Sequence, residues 1–143
     1  MDGNVLAAGE PDSEAGRVQV YARSNEQWNP LNTITPIDEA EEFGAAVDVS
    51  VGSFRVAMAV GAPQSREGFL TFGAAFYYEL TGASWTQRGG RLVPLPSPQT
   101  ADGKAGAAVA VAADTRRMVV GAPEVNFDLD NLENVRHLLQ ILK

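Results

Sequence analysis

The Tyr and Trp side chains hold most of the chemistry on offer: Tyr21, Trp28, Tyr77, Tyr78 and Trp85. Such rings present an apolar body and a polar tip, which suits them to stacking on a sugar or anchoring a protein ligand. Two of them repeat as a pair. Trp28 follows Tyr21 by seven residues, and Trp85 follows Tyr78 by seven. A repeated spacing allows two readings. Tyr21, Trp28, Tyr78 and Trp85 form a binding surface, or they pack a structural unit that occurs twice.

Catalytic chemistry has little to work with. There is no Cys, which excludes disulfides and thiolate metal sites, and His137 is the single histidine. No Gly-x-Ser-x-Gly elbow or phosphate-binding Gly-rich loop occurs. The acidic run Asp38-Glu39-Ala40-Glu41-Glu42 reads as a solvated connection. Asp128-Leu129-Asp130-Asn131 reads as the acidic start of a helix, where carboxylates are favoured by the dipole. No catalytic residue, cofactor or metal is expected.

The elements that position these residues are written in the repeats. Gly44-Ala45-Ala46-Val47-Asp48-Val49 leads to Val60-Gly61-Ala62-Pro63, and Gly106-Ala107-Ala108-Val109-Ala110-Val111 leads to Val120-Gly121-Ala122-Pro123. A third copy of the ending is Ala8-Gly9-Glu10-Pro11. Gly16 and Gly73 each lie five residues before a Tyr of the aromatic pairs. The full unit holds four strand-like runs: Ala45 to Val51, Arg55 to Val60, Gly73 to Leu80 and Ser84 to Arg88. They are expected to form one antiparallel sheet in that order. The first alternates, with Val47, Val49 and Val51 on one face. The second is apolar on both faces, so it must be covered on both sides. Gly-Ala-Pro then stops it, because Pro cannot donate to a ladder. Beyond Asn131, Leu132, Val135, Leu139 and Leu142 recur at helical spacing, which predicts an amphipathic helix.

Phe43-Gly44, then Gly61-Ala62-Pro63, then Gly73 with Tyr77-Tyr78, resembles the FG-GAP repeat of integrin-α-type β-propellers, in the variant without calcium loops. In the last copy Ala105 replaces the leading Phe. The resemblance spans roughly residues 4 to 123 and implies an all-β fold of antiparallel four-stranded blades, a partial β-propeller. On that reading residues 1–42 are a three-stranded partial blade with a linker, and 43–98 are a complete blade. Residues 99–127 are a two-stranded partial blade, and 128–143 carry the short C-terminal α-helix. Calcium loops of the family need alternating carboxylates. The corresponding turns, Val51-Gly52-Ser53-Phe54 and Ala113-Asp114-Thr115-Arg116, offer none and one.

Composition bounds the partners. The 143 residues carry a net charge of −7, which argues against a nucleic-acid surface and against docking on anionic lipid. No apolar run has the length of a membrane span, and no signal peptide is visible. The resemblance implies a non-catalytic module that recognises a protein or glycan at an extracellular or cell-surface location. Two alternatives stand beside it: a truncated propeller, self-associating or missing blades, and an accessory module of a larger hydrolase.

Overall fold

Alternation of small or polar with larger apolar side chains over Ala46–Val51, Val56–Ala62 and Ala108–Ala112 sets the architecture. In the computed structural model, residues 4–37, 40–93 and 102–124 are described. They are all β, and no helix occurs among them. The expected helix over 128–143 and the boundary at residues 98 and 99 lie outside the described residues.

The N-terminal sheet is formed by β1 (Val5–Glu10), β2 (Arg17–Ser24) and β3 (Gln27–Ile34), in that order. The central sheet has β4 (Ala46–Val51), β5 (Val56–Ala62), β8 (Ala74–Thr81) and β9 (Ser84–Gln87). A small hairpin, β6 (Arg66–Glu67) with β7 (Leu70–Thr71), projects between β5 and β8. The third sheet is β10 (Ala108–Ala112) with β11 (Arg117–Gly121). All the strand pairs are antiparallel. The four runs of the full repeat thus make one sheet in the order the sequence indicates. After β9 the chain turns at Gly89 and Gly90, and Leu92 rejoins β8 by two hydrogen bonds to Ala75, of 2.9 and 2.8 Å.

The central sheet is buried on both faces, and the two faces differ in size. Met58, Val60, Ala62, Ala74, Phe76 and Tyr78 pack against Val18, Val20 and Ile34 of the N-terminal sheet. Ala57, Ala59, Ala75 and Tyr77 pack against Met118 and the flanks of Val109, Val111 and Val120 in the third sheet. Alternation along β5 and β8 puts these two sets on opposite sides. Phe43 fills the first seam, edge-on to Phe76 at 5.3 Å and to Tyr78 at 6.3 Å between ring centroids.

One device joins successive sheets. Gly16 makes a parallel bridge to Phe43, and Gly73 makes the same bridge to Ala105. Ala105 therefore occupies the place of Phe43, beside a second seam lined by the small side chains of Ala57, Ala59 and Ala75. Gly61 faces the next sheet so closely that a Cβ there would overlap the carbonyl of Gly106; Gly9 stands in the same relation to Gly44. The glycines of the repeat are thus contact points between backbones.

Candidate binding surface

The repeat positions of the aromatic pairs divide between core and surface. In the central sheet Tyr78 is 3% exposed and lies in the first seam, with its hydroxyl donating to Gln87 Oε1 at 3.4 Å. Trp85 packs half-buried against the same core, and its indole N–H is buried with no hydrogen-bond partner. These two are covered by the N-terminal sheet and serve packing.

Their equivalents Tyr21 and Trp28 sit in the N-terminal sheet, whose corresponding face has no described neighbour. Val18 and Val20 point into the first seam, so Arg17, Gln19, Tyr21 and Arg23 point outward. Cross-strand partners extend this face. Leu6 lies opposite Tyr21 in β1; in β3, Pro30 lies opposite Tyr21, Trp28 opposite Arg23 and Thr33 opposite Gln19. A bulge between Val20 and Tyr21 shifts the β2–β3 register by one, so Trp28 and Pro30 stay on the outer side. Trp28 is 44% exposed, Leu6 39%, and Tyr21 is half-buried.

This face has two halves. One end is polar: Arg17 pairs with Glu10 at 2.6 Å, and Gln19 donates to the Asn32 carbonyl at 2.8 Å while accepting from Thr33 Oγ1 at 2.6 Å. The central sheet carries Ala62, Ala74 and Phe76 at the positions of Glu10, Arg17 and Gln19, and there they are buried. The other end keeps the apolar and aromatic chemistry of a covered face: Leu6, Tyr21, Pro30 and Trp28, edged by Arg23. An aromatic shelf beside fixed polar groups can stack a ring and hydrogen-bond its substituents.

A second cluster lies at the far seam. Glu79, 7% exposed, receives Arg116 Nε at 3.1 Å, Arg88 Nε at 3.3 Å and Arg55 Nη1 at 3.8 Å. Tyr77 O–H donates to the same carboxylate at 3.1 Å. Burial and then that hydrogen bond push the Tyr77 phenol up to about 12. Neither arginine cluster nor buried carboxylate was legible in the sequence, because the four residues are scattered through it.

The other charged groups serve the fold. Asp48 Oδ2 accepts the Val111 N–H at 2.7 Å, and Ser50 Oγ accepts the Ala113 N–H at 3.2 Å, so β4 side chains satisfy the free edge of β10. Asp114 Oδ1 accepts the Ser53 N–H at 2.8 Å, which ties together the two turns compared with calcium loops. In the acidic connection Glu41 pairs with Arg66 at 3.3 Å. Asp38, Glu39, Asp128, Asp130, Asn131 and His137 lie outside the described residues. Among the described residues no three His, Cys, Asp or Glu side chains are grouped to hold a metal.

The chain matches no protein-family model and no curated protein sequence.

Proposed function

We propose that this protein is a non-catalytic binding module of FG-GAP β-propeller type, and that Tyr21 and Trp28 on the outer face of its N-terminal sheet contact a protein or glycan ligand. One observation carries the reading. Tyr21 and Trp28 hold the repeat positions of Tyr78 and Trp85, yet Trp28 is open to solvent where Trp85 is packed. Successive antiparallel sheets of three, four and two strands joined by the same Gly bridge support the blade assignment. Function comes from this face and its chemistry, since a fold by itself assigns none.

The experiment is a binding screen of the purified chain on an array of oligosaccharides and immobilised protein ectodomains. Wild type and the variants Tyr21→Ala and Trp28→Ala are compared with Gln87→Ala. Signals lost in the first two and kept in the third support the proposal. Signals that survive both aromatic substitutions contradict it.

A second reading, a part of a larger propeller, is favoured by the third sheet. Val119 is 51% exposed there, and the outer edge of β11 pairs with no other described strand. The mass in solution separates the two: a soluble monomer favours the module, and open-ended association favours the fragment.

A further inference from the structure

The seam between the central and third sheets carries a charge cluster that the seam before it lacks. The repeat provides the comparison. Leu6 pairs with Tyr21 and Val5 with Ala22 in the N-terminal sheet; Met58 pairs with Tyr78 and Ala57 with Glu79 in the central sheet. Ala22 therefore stands where Glu79 stands. Two sheets of this protein stack with a methyl group at that position, so stacking does not require the carboxylate or the three arginines around it.

The arginines come from three separate connections: Arg55 between β4 and β5, Arg88 just after β9, and Arg116 between β10 and β11. Backbone hydrogen bonds fix all three: the Arg55 carbonyl accepts the Gly52 N–H at 2.8 Å, Arg88 N–H donates to the Tyr77 carbonyl at 2.8 Å, and Arg116 N–H donates to the Ala113 carbonyl at 3.3 Å. Each sets its guanidinium against the Glu79 carboxylate. Arg88 Nη2 also donates to Thr81 Oγ1 at 3.2 Å. Arg55 and Arg116 have no other described partner for their remaining N–H groups. Three cations meet one carboxylate at this spot, an excess of positive charge in a chain whose net charge is −7. Asp114, in the β10–β11 turn two residues before Arg116, accepts the Ser53 N–H and keeps its negative charge, so counted with Glu79 it leaves one positive charge in excess. The Arg88 and Arg116 side chains are 49% and 54% exposed, so their forks reach solvent while Glu79 beneath them does not.

We infer that Arg55, Arg88 and Arg116 form a binding site for a tetrahedral oxyanion, sulfate or phosphate, with Glu79 as the residue that positions them. A bound oxyanion answers this excess of positive charge. Guanidinium forks from three separate connections can donate to different oxygens of one tetrahedral ion, and charge-assisted N–H···O bonds are the strong ones. This site is separate from the Tyr21–Trp28 face and does not depend on the reading given for it.

The test is a thermal melt of the whole chain in millimolar sulfate or phosphate, against chloride at matched ionic strength. A ligand of the native state raises the melting temperature along a saturable curve. Sulfate excluded from the protein surface also stabilises, but without saturation and equally in every variant. Arg116→Gln and Arg88→Gln should each weaken the saturable component at least about fivefold, by loss of one charge-assisted contact. In parallel, NMR of the arginine Nε–H groups in wild type should show those of residues 55, 88 and 116 shifting with sulfate. Glycerol phosphate in place of phosphate distinguishes an esterified group from the free ion, and either one binding supports the site. No saturable shift in wild type, an undiminished one in both variants, or unmoved Nε–H signals would overturn the inference.

Discussion

Replacing Phe43 by Ala is the sharpest probe of how the sheets are held together. Phe43 is fully buried and touches Phe76 and Tyr78 edge-on, with Val18 and Val20 completing its surroundings. Truncation removes the transfer energy of the ring and leaves a cavity between two sheets. Phe→Ala at such sites costs about 3–5 kcal/mol. The edge-on contacts account for about 0.5–1.5 kcal/mol per pair beyond area. The parallel bridge to Gly16 should survive, because Ala105 makes the equivalent bridge to Gly73 with no ring at all. The loss is therefore one of packing alone. Against a total stability of about 5–15 kcal/mol it is a large fraction. Urea unfolding followed by the tryptophan signal reads it directly. With a slope of about 1–3 kcal/mol/M the midpoint should fall by more than about 1 M, at unchanged slope. A loss below about 1 kcal/mol, against the core-truncation range, would mean that the first seam is not the packed core described here.

Three further outcomes follow from the same contacts. Gly61→Ala drives a Cβ into the Gly106 carbonyl and should cost about 1–3 kcal/mol in a chemical melt, whereas Gly121→Ala, whose nearest neighbour is the Ala108 Cβ at 3.2 Å, should cost distinctly less. Trp85→Ala should destabilise by about 2–4 kcal/mol while Trp28→Ala stays within about 0.5 kcal/mol, since one indole is packed and the other is open. The Tyr77 phenol lies at about 12 when folded and near 10 when unfolded, so the folded chain holds its proton more tightly. Its contribution is complete below pH 10 and disappears as pH rises toward 12, amounting to as much as about 2 kcal/mol. Stability measured across that window should fall less steeply in Tyr77→Phe.

Strand order was legible because two signals agreed. Val47, Val49 and Val51 alternate with polar or small residues, and Gly61-Ala62-Pro63 marks where β5 ends. The double-sided burial of β5 was equally plain from Val56, Met58 and Val60 against Ala57 and Ala59. The fate of the aromatic pairs was not. Tyr21 with Trp28 and Tyr78 with Trp85 are identical at the level of spacing, and only the neighbour beyond each sheet makes one pair surface and the other core. The signal that could have separated them was the exchange of Ala62, Ala74 and Phe76 for Glu10, Arg17 and Gln19 at matching positions. The β6–β7 hairpin carries too short a pattern to read, since Arg66, Glu67 and Leu70 are all exposed. The Glu79 cluster depends on bringing residues 55, 79, 88 and 116 together, and no local pattern encodes that meeting.

The two indoles of this chain permit a direct test of the central claim, that the outer face of the N-terminal sheet is the binding surface. The indole N–H signals of Trp28 and Trp85 are followed by NMR while a ligand found on the glycan or ectodomain array is titrated in. The account requires the Trp28 signal to shift and saturate with the ligand while the Trp85 signal holds still. A ligand that binds and leaves Trp28 unmoved would contradict it.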